Sequence, residues 1–189
     1  LAFGPPGWVE QVNHWGTASL ADAAAAAGVA WFVYTSSAAV YGPVDAIGAR
    51  AVQSSPPFAE HDIARPVGLY AESKLRGEKR LLALHEQGRL RVCVLRLGSV
   101  FGYAPAVRFD AVANRLAYLA SVHRALTVYG SGEQRRPQVH IADASRAIRF
   151  ALAQRDAMAG EVYNVVSENV SVLELVEAIR ALRPGIGVR

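Results

Sequence analysis

Apolar positions return at two different periods along this chain, and the alternation between the two predicts strands layered with helices. Residues 29–35 (Val-Ala-Trp-Phe-Val-Tyr-Thr) and 91–97 (Arg-Val-Cys-Val-Leu-Arg-Leu) are short β-branched and aromatic runs with little polar alternation, as expected of parallel strands buried on both faces. Helical spacing governs residues 9–27, ended by Gly28, and residues 70–87, where Leu75, Leu81, Leu82 and Leu84 make the stripe and Gly88 the stop. Further helices are predicted over 109–120, 143–154 and 171–182, the last opened by the capping-box pair Ser171 and Glu174. Short strands are predicted at 126–129, 139–141 and 161–166, with turns at 98–105 and 130–132. Residues 36–68, carrying Pro43, Pro56, Pro57 and Pro66, read as one long connection, and a loop of that length inside a compact domain is usually functional.

Strands alternating with helices of this length imply βαβ units and a parallel sheet covered on both faces. Ligands bind such sheets beyond the carboxyl ends of the strands. Ser36-Ser37, after the first strand, and Gly98-Ser99, after the second, are therefore expected to line one cleft, with Tyr70 and Lys74 at the start of the intervening helix facing its rim.

Composition narrows the picture by exclusion. The 189 residues are 52% hydrophobic and 19% charged, which suits a soluble α/β domain with a sizeable core. The longest apolar stretch, 23–34, is interrupted by Gly28 and falls short of the roughly 18 residues that span a bilayer, and no secretory leader pattern opens the chain. The expected setting is cytoplasmic, without membrane association. One cysteine, Cys93, offers neither a disulfide nor a metal cluster. The net charge of +4 comes from 20 Lys and Arg against 16 acidic residues; they are scattered rather than gathered into the stripe that nucleic-acid binding would want.

Lys74 is one of two lysines in the chain and follows Tyr70 by four residues, so on a helix the two share a face. A cation beside a phenol favours phenolate, which would draw the tyrosine toward neutrality and let it exchange a proton with a substrate alcohol.

The run Thr35-Ser36-Ser37-Ala38-Ala39-Val40-Tyr41-Gly42, then Tyr70-x-x-x-Lys74, then Arg96-Leu97-Gly98-Ser99-Val100-Phe101-Gly102 together resemble the extended short-chain dehydrogenase/reductase family, which includes NAD-dependent nucleotide-sugar epimerases and dehydratases. Asn13-His14-Trp15-Gly16-Thr17, Val128 to Arg136 and Val139-His140-Ile141-Ala142-Asp143 resemble further family motifs, in family order. The resemblance implies a partial Rossmann-type doubly wound sheet: residues 1–105 as the second half of the cofactor domain, and 106–189 as part of a small C-terminal substrate domain interleaved with returning Rossmann elements. It implies Tyr70 as general base, Lys74 on the cofactor ribose, and Ser37 orienting the reacting hydroxyl. Ser36 and Gly98 would lie by the nicotinamide, Ser99 by the substrate, and Arg136 would grip a nucleotide diphosphate with its planar, bidentate guanidinium. Asn13 is a supporting residue; His140 and Asp143 read as structural. The cofactor would be NAD or NADP, with NAD favoured, the partner a nucleotide sugar, and the full-length form a homodimer through the Tyr70 helix and the first helix.

Departures from the family pattern are informative. Ala38 and Ala39 stand where sugar dehydratases carry an acidic pair, Ser99 replaces a common Asn, Tyr103 a frequent Pro, and Pro137 a usual Asp. The family's glycine fingerprint for pyrophosphate, with its following acidic residue, has no counterpart; Gly4 and Gly7 flank Pro5-Pro6, which lack the N–H groups such a cradle needs. Leu1-Ala2 resembles the end of the family's fourth strand, so the expectation is a chain without the first third of its domain. Two readings stand: the catalytic half of an NAD-dependent epimerase or oxidoreductase, or a non-catalytic remnant or interaction module.

Overall fold

The computed structural model describes residues 5–42 and 57–189; the expectations for Leu1-Ala2 and Gly4, and for the middle of the long connection from Pro43 to Pro56, fall outside them. The chain divides into two units, Leu1–Leu97 with Arg146–Val165 and Gly98–Ser145 with Val166–Arg189. The first break comes earlier in the chain than the boundary drawn at residue 105.

In the first unit, strands β1 (Phe32–Ser37), β2 (Val92–Leu97) and β5 (Val162–Val165) form a parallel sheet in the order β1-β2-β5. Successive side chains leave opposite faces of a strand, and here both faces are apolar. Tyr34, Val92 and Val94 face Ala21 and Ala24 of helix α2 (Gly16–Ala26) and Leu81 and Leu84 of α3 (Leu69–Glu86). Cys93 and Leu95 face Ala147, Ile148 and Ala151 of α5 (Ile141–Ala153). Cys93 is thus the core residue its apolar run implied, and burial raises its thiol to about 11.

The single helix expected over 9–27 is a composite: α1 (Pro6–Glu10) passes through a π turn (Gln11–Trp15) into α2. The π turn adds one residue to the helical repeat, and Asn13 within it is buried. Gly28 and Gly88 both take positive φ, 68° each, and end α2 and α3 as the sequence suggested.

α3 lies close on β1 because Gly77 has no side chain: a Cβ there would come 2.6 Å from the Tyr34 hydroxyl and 3.0 Å from its ring.

In the second unit, β3 (Ser99–Phe101) pairs parallel with β4 (Arg135–His140), and β4 pairs antiparallel with β6 (Glu168–Ser171). Leu116 and Ala120 of α4 (Val112–Ser121) and Val172 and Val176 of α6 (Val172–Leu182) close over Leu126. The capping box at Ser171 and Glu174 forms in both directions, at 3.1 and 2.8 Å. The strand expected at 126–129 is a correction: it is a single parallel bridge from Leu126 to Val188, with the Leu126 and Val128 N–H groups donating to the Gly187 and Arg189 carbonyls. β4 begins four residues earlier than expected, at Arg135, and includes Pro137. The Gln138 carbonyl accepts from Ser167 on the β6 side, so the missing Pro137 N–H points to the β3 side. There β3 begins only at Ser99, opposite Gln138, and no ladder bond is lost.

Gly77→Ala should lower stability in urea unfolding by about 1–2 kcal/mol, because overpacking of 1–3 kcal/mol exceeds the ~1 kcal/mol gained in helix propensity. The loss should shrink in a Tyr34→Phe background, where the obstructing hydroxyl is gone.

Candidate active site

At the carboxyl end of the first sheet the apolar rows give way to one polar row. Ser36 lies opposite Arg96 in the β1–β2 register, and Arg96 opposite Asn164 in the β2–β5 register. Alternation along the strands turns Ser36 and Arg96 to the same face as Tyr34 and Val94, the one that α3 covers. α3 supplies Glu78, 1% exposed, to meet them. The Ser36 hydroxyl donates to Glu78 Oε1 at 2.5 Å. The Arg96 guanidinium donates to the same carboxylate from Nε at 3.1 and 3.3 Å and from Nη2 at 2.8 Å. Arg96 Nη1 reaches the Tyr41 hydroxyl at 2.8 Å and the Glu60 carbonyl at 3.3 Å, and the guanidinium lies 4.8 Å from the Tyr41 ring centre.

The row also ties down the chain on either side of the undescribed residues. Tyr41 donates to Asn164 Oδ1 at 2.8 Å and stacks on Phe58, while Asn164 donates to the Phe58 carbonyl at 3.0 Å and to Glu60 Oε1 at 2.8 Å. Burial opposes the charge of Arg96, yet the bonds to Glu78 and Tyr41 overcome that and hold its pKa above the ordinary value.

Lys74 sits one turn before Glu78 on α3. Its ammonium donates to the Thr35 carbonyl at 3.0 Å and stands 5.1 Å from the Tyr34 ring centre. Burial pulls its pKa down from the ordinary lysine value, and the Glu78 charge works against that pull. Tyr70 is half-buried one turn earlier on the same helix, and its hydroxyl has no hydrogen-bond partner among the described residues. Ser37 ends β1 and caps the 3-10 turn Ala38–Tyr41, its Oγ accepting from Ala39 N at 3.2 Å; its own proton has no acceptor among the described residues. Ser36 is different: 4% exposed, it has its hydroxyl committed to Glu78.

The second unit holds the other expected residues. Gly98 is buried, and a Cβ there would come 3.0 Å from the Pro137 carbonyl carbon and oxygen, so a close backbone approach requires glycine. Ser99 opens β3 exposed. Arg136 is exposed on β4 and makes no hydrogen bond or ion pair with a described residue, whereas Arg135 beside it is bound to Glu174 and the Asn169 carbonyl. His140 Nδ1 accepts from Ala142 N at 3.3 Å, and Asp143 accepts from Ser167 Oγ at 2.8 Å. Among the described residues no group of His, Cys, Asp and Glu could hold a metal ion, and no helix is long and apolar enough to cross a membrane.

Glu78, Arg96, Tyr41 and Asn164 were not singled out in the sequence for this site. A signal existed: Arg96 and Asn164 each interrupt an otherwise apolar strand, and Glu78 repeats the four-residue spacing that joins Tyr70 to Lys74.

The model of the NAD dependent epimerase/dehydratase family matches residues 4–166. Among relatives, a mouse dTDP-D-glucose 4,6-dehydratase is 30% identical over 169 residues, covering 89% of this chain and 44% of that enzyme. A Bacillus subtilis protein named as an uncharacterized UDP-glucose epimerase is 28% identical over 149 residues, covering 78% of this chain and 43% of its own. The chain thus spans less than half the length of these relatives. Among solved structures, MoeE5 in complex with UDP-glucose and NAD aligns with a TM-score of 0.80 at 30% identity, covering all of this chain and 62% of that one. The UDP-glucuronic acid 4-epimerase of Bacillus cereus, in complex with UDP-glucuronic acid and NAD, aligns with a TM-score of 0.80 at 25% identity, over 94% of this chain and 53% of that one.

The Tyr34 phenol, pushed up to about 12 chiefly by burial and raised further by the Glu78 and Tyr70 charges, gives a pH dependence. With the folded value above the unfolded value near 10, the folded state holds this proton more tightly. Its stabilisation is complete below pH 10 and is lost as pH rises from 10 to 12. Chemical denaturation across that window should show a decline that is smaller in Tyr34→Phe than in the wild type by roughly 2 kcal/mol.

Proposed function

The chain belongs to the NAD-dependent epimerase/dehydratase family, and on that premise we propose that it carries the acid–base half of an oxidoreductase or epimerase site acting on a nucleotide sugar. One observation carries the reading: the Lys74 ammonium is held on the Thr35 carbonyl, and Tyr70, one helical turn before it, has a hydroxyl without a partner among the described residues. Tyr70 takes the proton of a sugar hydroxyl. Lys74, with one donor on Thr35 and two left over, offers both the positive charge that a phenolate needs and hydrogen bonds for ribose hydroxyls. The free proton of Ser37 orients the reacting oxygen.

The nicotinamide-ribose end of NAD fits these residues: the Lys74 ammonium reaches the Thr35 carbonyl near the carboxyl end of β1, the end where such sheets hold ligands, and Tyr70 lies one turn earlier on the same helix. NAD, when bound, supplies a hydride acceptor. Its pyrophosphate finds no glycine fingerprint in these 189 residues. NAD is favoured over NADP because the solved relatives named above hold NAD. Ser99 and Arg136 serve the sugar and its diphosphate, and Arg136 is the unengaged member of the Arg135-Arg136 pair. Sugar dehydration is disfavoured: Ala38 and Ala39 occupy the 3-10 turn where the resemblance calls for acidic groups.

A homodimer completes the proposal. Trp8, Val12, Trp15 and Leu20, each between 51% and 62% exposed along the composite first helix, support this reading as large apolar side chains that a second copy would cover.

Tyr70→Phe should reduce turnover of a nucleotide sugar by about 10²–10⁴-fold or more, with NAD affinity in calorimetry little changed; wild-type turnover in that variant would sink the assignment of the base. Trp8→Ser with Trp15→Ser should raise the dimer dissociation constant in sedimentation equilibrium by about 30-fold or more. A wild-type chain that sediments as a monomer at all concentrations would remove the interface.

A further inference from the structure

The Thr35 carbonyl that receives Lys74 and the backbone nitrogen of Ser36 belong to a single peptide unit, and peptide units are planar and stiff. Whatever fixes Ser36 therefore fixes the seat of the ammonium. Ser36 is fixed from its side chain, by the 2.5 Å bond it donates to Glu78. Glu78 rises from the same helix as Lys74, four residues on. The contacts close a ring: Lys74 to the Thr35 oxygen, through the peptide plane to Ser36, across to Glu78, and back along one turn of α3. Arg96 locks the ring from outside, because three of its contacts fall on the Glu78 carboxylate and leave that group one orientation.

We propose that Glu78 is a positioning residue for Lys74, acting through Ser36 and the end of β1. The proposal deepens the reading of Lys74 given above and rests on it for its functional meaning, but the mechanical coupling stands without it. A lysine has four rotatable side-chain bonds and loses them only when its ammonium has a fixed place to bind. The ring supplies that place, so the two remaining N–H donors point in set directions. Ser36, expected from the resemblance to lie by the nicotinamide, acts in this account from beneath, on the carbonyl that Lys74 grips.

The chain's two lysines make the test direct. Lys79 is exposed on α3, so a lysine-selective carbon-13 spectrum of the 189-residue chain contains one anchored signal and one built-in control. The ε-methylene protons of Lys74 should be inequivalent in the wild type, and those of Lys79 averaged. Ser36→Ala removes only a hydroxyl and leaves the Glu78–Arg96 pair in place; it should average the Lys74 signal toward that of Lys79. Glu78→Gln should do the same. If Ser36→Ala melts at a lower temperature yet keeps the wild-type Lys74 signal well below its transition, the serine is a stability element only and the proposal is overturned. Should Glu78→Gln not fold, Ser36→Ala alone decides. Neither readout needs turnover or NAD, so inactivity of the chain would count against the proposed function and leave this coupling to stand or fall on the spectra.

Discussion

Glu78 reaches from α3 to the level at which the first sheet stops being apolar, and the arrangement there follows from what one buried carboxylate demands. A carboxylate out of water is tolerated only with charge and hydrogen bonds to replace the solvent. Arg96 supplies the charge, and its own remaining donors then require acceptors, which Tyr41 and the Glu60 carbonyl provide. Tyr41 in turn needs an acceptor and finds Asn164. Each partner satisfies one group and presents another, so residues from three strands, a helix and both ends of a long connection are drawn into a single network. A buried pair of this kind contributes little net stability compared with an apolar replacement, although deleting one member costs about 3–5 kcal/mol. What the pair determines is placement, and the groups it places are the carboxyl end of β1 and the first turns of α3.

The apolar part of the unit prepares this. Leu81 and Leu84 are fully buried against Val92 and Val94, each side chain worth roughly 1.5–3 kcal/mol. They fix the rotation of α3, so that positions 70, 74 and 78, one turn apart, run along one side of the helix. Gly77 sets its distance. With a methyl group at 77 the helix would ride outward on Tyr34, and Lys74 and Glu78 would be carried away from Thr35 and Ser36 together. Packing and polar geometry are therefore coupled through one missing side chain.

Much of this was legible in the sequence where a long run carried one period. The two strands read from residues 29–35 and 91–97, the Tyr70 helix, the capping box at Ser171 and the glycine stops all appear close to where the pattern put them, and the parallel sheet with helices on both faces follows from their order. Short elements were not legible. β6 is a four-residue strand of sequence Glu-Asn-Val-Ser and β3 a three-residue strand; neither is long enough to show an alternation, and both exist only because β4 lies between them. At 126–129 a β-like composition makes one isolated bridge, to Val188, and no strand. For the candidate site, the Tyr70 and Lys74 pair was readable because both residues lie on one helix. The Ser36, Arg96 and Asn164 row was not, since its members are neighbours only after three strands from distant parts of the chain come into register.

The 3-10 turn after β1 has a separate implication. Its shape is set by backbone and by Ser37, whose oxygen caps Ala39 N, and by the buried anchors Val40 and Tyr41. The side chains of Ala38 and Ala39 take no part in holding it, and Ala39 is exposed. Two positions that the architecture leaves free are the two at which the family's dehydratases are expected to carry their acids. The division between redox chemistry and elimination would then be a matter of what is mounted on this turn, with no change in the frame beneath it, so that one scaffold could pass from one reaction to the other by substitutions that its stability would scarcely register.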